Sequence, residues 1–289
     1  MTGFQTCALP ISRWVGTISG NENPDRTIQR DGVSSSRVNG DSSRPGLFST
    51  VLKLPNFDLQ PGPAAAAPST AGAVHTELGI SEKIGEGGMG VVFKADQRSL
   101  KRSIAVKRIK DAYASNMKSV GMFLSEAYAA AYLDHPNIVP VHELGTDTEG
   151  RVFYSMKLIE GRSWEELLFP TTAADSVPPL TIRDHLDVLL KVCDAMAFAH
   201  SRGIVHRDLK PENVMVGQFG EVLVLDWGLA VSTDNAPATI SGRIESAAHA
   251  NHPCGTPSYM PPEMASGDAK KLGPATDVYL LGGILFAIL

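Results

Sequence analysis

The octet His206-Arg207-Asp208-Leu209-Lys210-Pro211-Glu212-Asn213 constrains this chain more than any other stretch, because it is followed, across the short apolar run Leu223 to Leu225, by Asp226-Trp227-Gly228. Chemically useful side chains held on two loops need a rigid scaffold beneath them. Asp208 can orient an attacking hydroxyl and take its proton, and Lys210 can neutralise a phosphoryl group in transit. Asn213, in the same loop, and Asp226, at the end of the short strand, can ligate Mg²⁺ that bridges phosphates. Phosphoryl transfer asks for positioning and charge neutralisation more than for covalent chemistry, and this set supplies both. A chance His-Arg-Asp tripeptide is unremarkable, but the octet with an Asp-x-Gly at this distance is not.

Upstream, Gly85-Glu86-Gly87-Gly88-Met89-Gly90-Val91-Val92 reads G-x-G-x-x-G-x-V. A dinucleotide-binding fold would continue into a helix. Here the residues up to Ala95 are β-branched and aromatic, and a further strand follows, so the glycines belong to a hairpin lying over nucleotide phosphates. Glycine permits close backbone approach there. A glycine turn with no ligand fits the same letters in isolation. Ile104-Ala105-Val106-Lys107 ends an apolar strand on a cation, and Glu126 waits in a predicted helix, Lys118 to Leu133. A lysine that grips α- and β-phosphates needs such a counter-charge. Leu124, Ala127, Ala130 and Ala131 make the Glu126 face apolar, which favours its burial over a solvated position.

The coarse pattern is strand hairpin (Ile80 to Lys94, then Ser103 to Ile109), helix, two strands (Ile138 to Leu144 and Arg151 to Leu158, with a turn at Asp147 to Gly150), then helices. Thr181 to Ser201 places Leu186, Leu189, Leu190, Cys193, Met196 and Ala197 on one face. The order predicts an α+β protein with a small sheet-rich lobe ahead of a helical one.

With these motifs in place, residues from about Glu77 to Leu289 resemble the eukaryotic-like (Hanks-type) serine/threonine protein kinases of bacteria. The resemblance implies a bilobal fold with ATP and Mg²⁺ between the lobes. It implies an ATP site formed by Ile84, Gly85, Glu86, Gly87, Gly88, Met89, Gly90, Val91, Val92, Lys107 and Glu126. Ala105 and Met215 are expected to sandwich the adenine, with Met156 as gatekeeper and the hinge at Lys157, Leu158 and Ile159. Lys210-Pro211-Glu212 and Gly255-Thr256-Pro257-Ser258-Tyr259 resemble the serine/threonine class, in which Thr256 would contact Asp208 and Lys210. Dual specificity stays open. The implied partners are protein substrates, with autophosphorylation in trans. Arg207 is expected to stand as an unpaired cation beside Asp208 until a phosphate on Thr233, Thr239, Ser241 or Ser246 pairs with it and orders the loop.

The sequence departs from the family pattern in places. Trp227 replaces the usual Phe, a comparable aromatic plug that can also donate a hydrogen bond. Pro261-Pro262-Glu263 stands where Ala-Pro-Glu is usual. Asp277 to Leu289 resembles the central buried helix of the helical lobe, with Asp277 anchoring the catalytic loop. The family's remaining helices, and the arginine that pairs with the Glu263 position, would follow Leu289. The expectation is therefore a C-terminally truncated fragment whose last helix exposes apolar faces.

Of the 289 residues, 43% are hydrophobic and 20% charged, as in an ordinary soluble domain, and the net charge of −5 gives no reason to expect nucleic acid as a partner. Cys7, Cys193 and Cys254 form no C-x-x-C pair and fit a reducing compartment. Cys193 reads as core packing and Cys254 as an exposed loop thiol. No run reaches the ~18 apolar residues of a membrane span. The kinase region is expected to be cytoplasmic, in a longer protein that many relatives anchor by a membrane helix further on.

Residues 1–75 read as a disordered leader rich in Ser, Gly, Pro and Ala, with a docking patch at Leu47 to Leu59. Met1 to Ile11 (MTGFQTCALPI) resembles a translated sequencing adapter and is expected to be an assembly artefact, which resequencing the source DNA would test. The domain is expected over 76–289, with the lobes dividing near 159. Rival readings are a nucleotide-binding pseudokinase or inactive fragment, and a small-molecule kinase. The six residues Lys107, Glu126, Asp208, Lys210, Asn213 and Asp226 oppose the pseudokinase, and Gly255 to Glu263 opposes the small-molecule enzyme.

Overall fold

Alternating side chains build the first half of the protein. In the computed structural model, which describes residues 59–61, 78–170 and 180–289, the first sheet has the strand order β1-β2-β3-β4-β6-β5. Its strands are β1 (Leu59–Pro61), β2 (Leu78–Glu86), β3 (Gly90–Gln97), β4 (Arg102–Ile109), β5 (Val141–Thr146) and β6 (Val152–Lys157). All neighbours are antiparallel except β1, which runs parallel to β2 with Leu59 opposite Leu78. This short strand lies within the segment read as leader. The Met1 to Ile11 stretch and most of the Leu47 to Leu59 patch lie outside the described residues.

Period-two alternation sends β4 side chains to opposite faces. Ile104 and Val106 pack with Leu78, Ala95 and Phe153 on one side. Ala105 and Lys107 point to the other, opposite Met156 and Tyr154 of β6.

Two helices follow β4: α1 (Asp111–Ala114) and α2 (Met117–Tyr132). Asn116 caps α2, its side-chain oxygen accepting from the amides of Lys118 and Ser119. α2 lays Val120, Phe123, Leu124 and Ala127 against Ile109, Val152 and Tyr154 of the sheet. Full burial of a side chain such as Phe123 is worth about 1.5–3 kcal/mol. Glu126 is carried into this interface, 3% exposed, while Ala131 faces outward.

The second half is mainly helical. It contains β7 (Gly161–Ser163), α3 (Trp164–Leu168), α4 (Ile182–Ser201), β8 (Ile204–Val205), β9 (Val214–Gly217), β10 (Val222–Val224), β11 (Val231–Ser232), α5 (Pro262–Ser266) and α6 (Pro274–Ile288). β7, β9 and β10 form a small antiparallel sheet, and β8 pairs with β11. The predicted sheet-rich and helical lobes are both present.

A capping box starts α4: Thr181 accepts from the Asp184 amide, and Asp184 accepts from the Thr181 amide at 2.8 Å. Its inward face differs from the expected one. Val188, Leu189, Val192, Ala195, Met196 and Ala199 are buried, whereas Leu190 is 62% exposed and Ala197 faces solvent. Small residues let α4 approach α6 and the small sheet, so Ala195 and Ala199 take positions that size alone would give to Leu190.

The helix ends at Gly203, whose φ of +75° and whose closeness to Ala236 (an added Cβ would lie 2.4 Å from that backbone nitrogen) exclude a side chain. The chain can therefore turn at once into β8 and the functional loop. Trp164, Trp227, Met196, Leu209 and Ile284 anchor the core beneath that loop. α6 leaves Val278, Tyr279 and Phe286 exposed, as expected for its apolar faces, and Leu289 just after it is exposed too.

Candidate active site

The loop after β8 is built around a buried carboxylate from a distant helix. Asp277, in the first turn of α6 and fully buried, accepts the His206 amide on Oδ2 and the Arg207 amide on Oδ1, both at 2.9 Å. Oδ2 also contacts His200 Nε2 at 2.8 Å. Arg207 is thereby held at φ +70°, a left-handed conformation uncommon outside glycine. The turn reverses the chain so that Asp208 faces the cleft. The His206 ring is fixed from both sides: Nδ1 accepts the Asp208 amide at 3.2 Å, so Nε2 is the nitrogen that donates to Leu225 O at 3.0 Å.

Three predicted residues converge on one hydroxyl. Thr256 Oγ1 donates to Asp208 Oδ1 at 2.8 Å and accepts from Lys210 Nζ at 2.9 Å. Asn213 spends its amide N–H groups on Asp208, reaching the carbonyl at 2.8 Å and Oδ2 at 3.1 Å. The Asn213 side-chain oxygen is then the atom left for a cation. Asp208 and Asn213 are both buried, which fixes their rotamers.

Across the cleft, β4 delivers Lys107 to Glu126 of α2, where Nζ donates to Oε1. Burial opposes charging both partners. It pushes the Glu126 carboxyl up, against the pull of Lys107 and Tyr154. It also pulls Lys107 down, but Glu126 and Asp226 outweigh it and raise the ammonium. The two tendencies conflict for one ion pair; the direct contact favours the charged form of both. Asp226, at φ +54°, keeps some contact with solvent, but its carboxyl is packed closely enough that loss of water is the largest single influence on it. Burial would raise its carboxyl, yet Lys107, then His206, the Gly228 amide and Lys210 hold it below the ordinary carboxylate range.

The glycine hairpin closes β2 onto β3, with the Gly87 amide donating to Gly90 O at 2.9 Å. An added Cβ at Gly90 would meet the Lys107 side chain at 3.1 Å, so the glycine lets Lys107 lie flat beneath the loop. Glu86 pairs with Lys83 and, at 2.6 Å, with Lys110, which together hold its carboxyl down to about 2. Gly85 lies opposite Val92 and Glu86 opposite Val91. Ile84, Gly88, Met89 and Val91 remain at least partly accessible around them. Ala105 is buried, while Met156, Leu158 and Met215 are half-buried, the last opposite Ser163 of β7.

Residues 78–289 match the protein kinase domain family. The chain belongs to that family. It is 38% identical over 223 residues to the serine/threonine-protein kinase PknD of Chlamydia caviae, covering 73% of this chain and 24% of that protein. Identity is 35% over 224 residues with the PknD of Protochlamydia amoebophila (73% and 22% covered) and 36% with that of Chlamydia trachomatis serovar D (71% and 24%). The chain thus spans about a quarter of the length of these curated relatives.

Several contacts of this kinase domain differ from what its sequence suggested. Arg207 does not stand open beside Asp208. It is buried, and its guanidinium donates to Cys254 Sγ at 2.8 Å and Leu229 O at 3.4 Å. Cys254, read as an exposed thiol, is buried for the same reason, and Cys193 is half-buried. Among the four candidate hydroxyls, Thr233 donates to Gly203 O and Ser246 caps the Ala248 amide, while Thr239 and Ser241 are exposed. Trp227 is a full aromatic plug, 1% exposed and with its ring 4.6 Å from that of His206, but its buried Nε1 has no hydrogen-bond partner among the described residues. Glu263 accepts from Thr276 Oγ1 at 3.0 Å.

Sequence reasoning missed His200, Thr276 and Tyr154, whose hydroxyl donates to Glu126 Oε1 at 2.7 Å. Tyr154 alone left a signal: alternation places it on the Met156 side of β6, the side that faces Lys107.

Proposed function

We propose that 76–289 is the catalytic region of an ATP- and Mg²⁺-dependent serine/threonine protein kinase, preceded by a leader over 1–75. The observation that carries this reading is the Thr256 hydroxyl held between Asp208 and Lys210, since it marks where a protein hydroxyl would be received. Asp208 accepts the proton of that hydroxyl as its oxygen bonds to the γ-phosphorus and the bond to the ADP oxygen breaks. Lys210 balances charge on the transferring group. Lys107, steadied by Glu126, grips the α- and β-phosphates. Ala105 and Met215 enclose the adenine, with Met156 behind it and Leu158 in the hinge.

The donor set suits Mg²⁺, which takes oxygen ligands from one or two protein groups and the rest from phosphates and water. Asp226, kept ionised by its cationic neighbours, and the free amide oxygen of Asn213 would hold it. Bound Mg²⁺ supplies neutralisation of the phosphate charge. Serine/threonine preference rests on Lys210-Pro211-Glu212 and on Thr256, and on the names of the relatives. Protein substrates, including a second copy of the chain in trans, are the partners. No helix among the described residues is long and apolar enough to cross a membrane, and a cytoplasmic site of action fits the reading.

The test is ³²P transfer from ATP to a generic protein, using the full-length enzyme beside its Asp208→Ala variant. Labelling by the parent and loss in the variant are expected. Equal labelling would end the catalytic assignment, and nucleotide binding with no transfer by the parent would favour the pseudokinase reading.

A further inference from the structure

None of the roles above uses Tyr154. This side chain sits in β6 directly opposite Lys107 of β4 and is 4% exposed. Its ring packs against Phe123 of α2 at 5.4 Å between centroids. Its hydroxyl donates to Glu126 Oε1 at 2.7 Å, the same oxygen that receives Lys107 Nζ. Sheet and helix therefore meet at one carboxylate oxygen, bound by two donors from neighbouring strands.

Carboxylate torsions are soft, with a broad, roughly two-fold preference. A lone ammonium, with three rotatable donors, follows a turning carboxylate instead of fixing it. A phenol on a packed ring has one donor in one place. With Oε1 claimed by Tyr154, the other oxygen is directed toward the Asp226-Trp227-Gly228 turn, where an added Cβ at Gly228 would lie 3.5 Å from Oε2. The phenol remains a donor at working pH, since burial, reinforced by Glu126, pushes it well above its usual range.

We propose that Tyr154 is a positioning residue for the phosphate grip. Its hydroxyl orients the Glu126 carboxylate so that Lys107 is presented to the α- and β-phosphates of a bound nucleoside triphosphate. An aliphatic side chain at this position fills the interface but leaves the carboxylate free to turn. The proposal rests on the ATP-dependent reading above.

The experiment compares the parent chain with Tyr154→Phe, which keeps the ring against Phe123. Calorimetry measures dissociation constants for adenosine, which lacks the phosphates, and for ATP with Mg²⁺. A thermal melt checks that both proteins are folded. The variant is expected to bind ATP about tenfold more weakly, the scale of one hydrogen bond to a charged group, with adenosine affinity unchanged. In a Glu126→Ala background the same substitution should add no further loss, because the acceptor through which it acts has been removed. ATP affinity equal to the parent's would overturn the proposal, as would parallel losses for adenosine and ATP, which would assign the effect to packing. A parent that binds adenosine but gains nothing from the phosphates sinks the nucleotide reading and this proposal together. A parent with the phosphate gain and a silent variant sinks this proposal alone.

Discussion

Replacing Asp277 by Asn isolates what holds the catalytic loop in shape. The carboxylate accepts two backbone amides on separate oxygens. Asparagine offers one oxygen, so the amide of either His206 or Arg207 must face an NH₂ group. An orphaned buried donor costs about 1–3 kcal/mol, and the surviving bond falls from charge-assisted to neutral strength, about 1 kcal/mol less. The His200 contact can persist by exchange of ring donor and acceptor roles. The sum is about 3 kcal/mol, a large share of a typical stability of about 5–15 kcal/mol. For a domain of this size it corresponds to a melting point about 6–12 °C lower. Urea denaturation gives the global figure, and amide hydrogen exchange at His206 and Arg207 gives the local one. Both amides should lose protection ahead of their neighbours in β8. A stability change within about 0.5 kcal/mol, with both amides protected as in the parent, would refute the reasoning, because the carboxylate would then be replaceable by any polar group of its shape.

Thr256→Ala should lower phosphoryl transfer while leaving ATP affinity close to the parent's, and Thr256→Ser should recover much of the rate; equal rates for Ala and Ser would dissociate the hydroxyl from transfer. Asp208→Asn should reduce kcat by about 10²–10⁴-fold, the usual span for a positioned base, with nucleotide binding retained in calorimetry. Tyr154 has a folded-state phenol raised above the ordinary value of about 10, so its contribution to stability is complete below that value and fades as pH rises through the folded one; in an ultraviolet titration its phenolate should appear only as the fold is lost, and a difference signal between parent and Tyr154→Phe in intact protein at pH about 11 would contradict this. Trp227→Phe should change stability by no more than about 1.5 kcal/mol, because the area lost is partly offset by removal of a buried N–H without a partner; a loss above about 3 kcal/mol would show that the indole contributes more than its packing.

Periodicity made much of this fold legible. β4 and β6 read as short apolar runs bounded by turn residues, and α2 carries Glu126 on an apolar face, so the Lys107 contact was readable from the sequence. The catalytic loop was readable because its residues are adjacent in sequence and chemically specific. Tertiary partnership was not. α4 has apolar residues on more than one side, and only packing against α6 and the small sheet decides that Ala195 and Ala199 go inward while Leu190 goes outward. Arg207 was misjudged because a cation beside an aspartate suggests exposure. The left-handed turn sends its side chain into the protein instead, toward Cys254. Contacts such as His200 with Asp277 or Thr276 with Glu263 join separate helices whose spacing along the chain carries no periodic signal.

The register of β4 has a consequence for which changes this gene tolerates. Ala105 and Lys107 share a face only because strand side chains alternate, with Met156 and Tyr154 as their partners. One extra codon between Ser103 and Ala105 would put Val106 and Arg108 in a cleft register and turn Ala105 and Lys107 toward the opposite core. Adenine packing and phosphate contact would fail in a single event, although every residue type survived. The same codon in the exposed turn at Arg98 to Lys101 would leave the register untouched. Length variation among descendants of this sequence should therefore collect at the turn, while the strand beside it stays fixed in length even where its letters change.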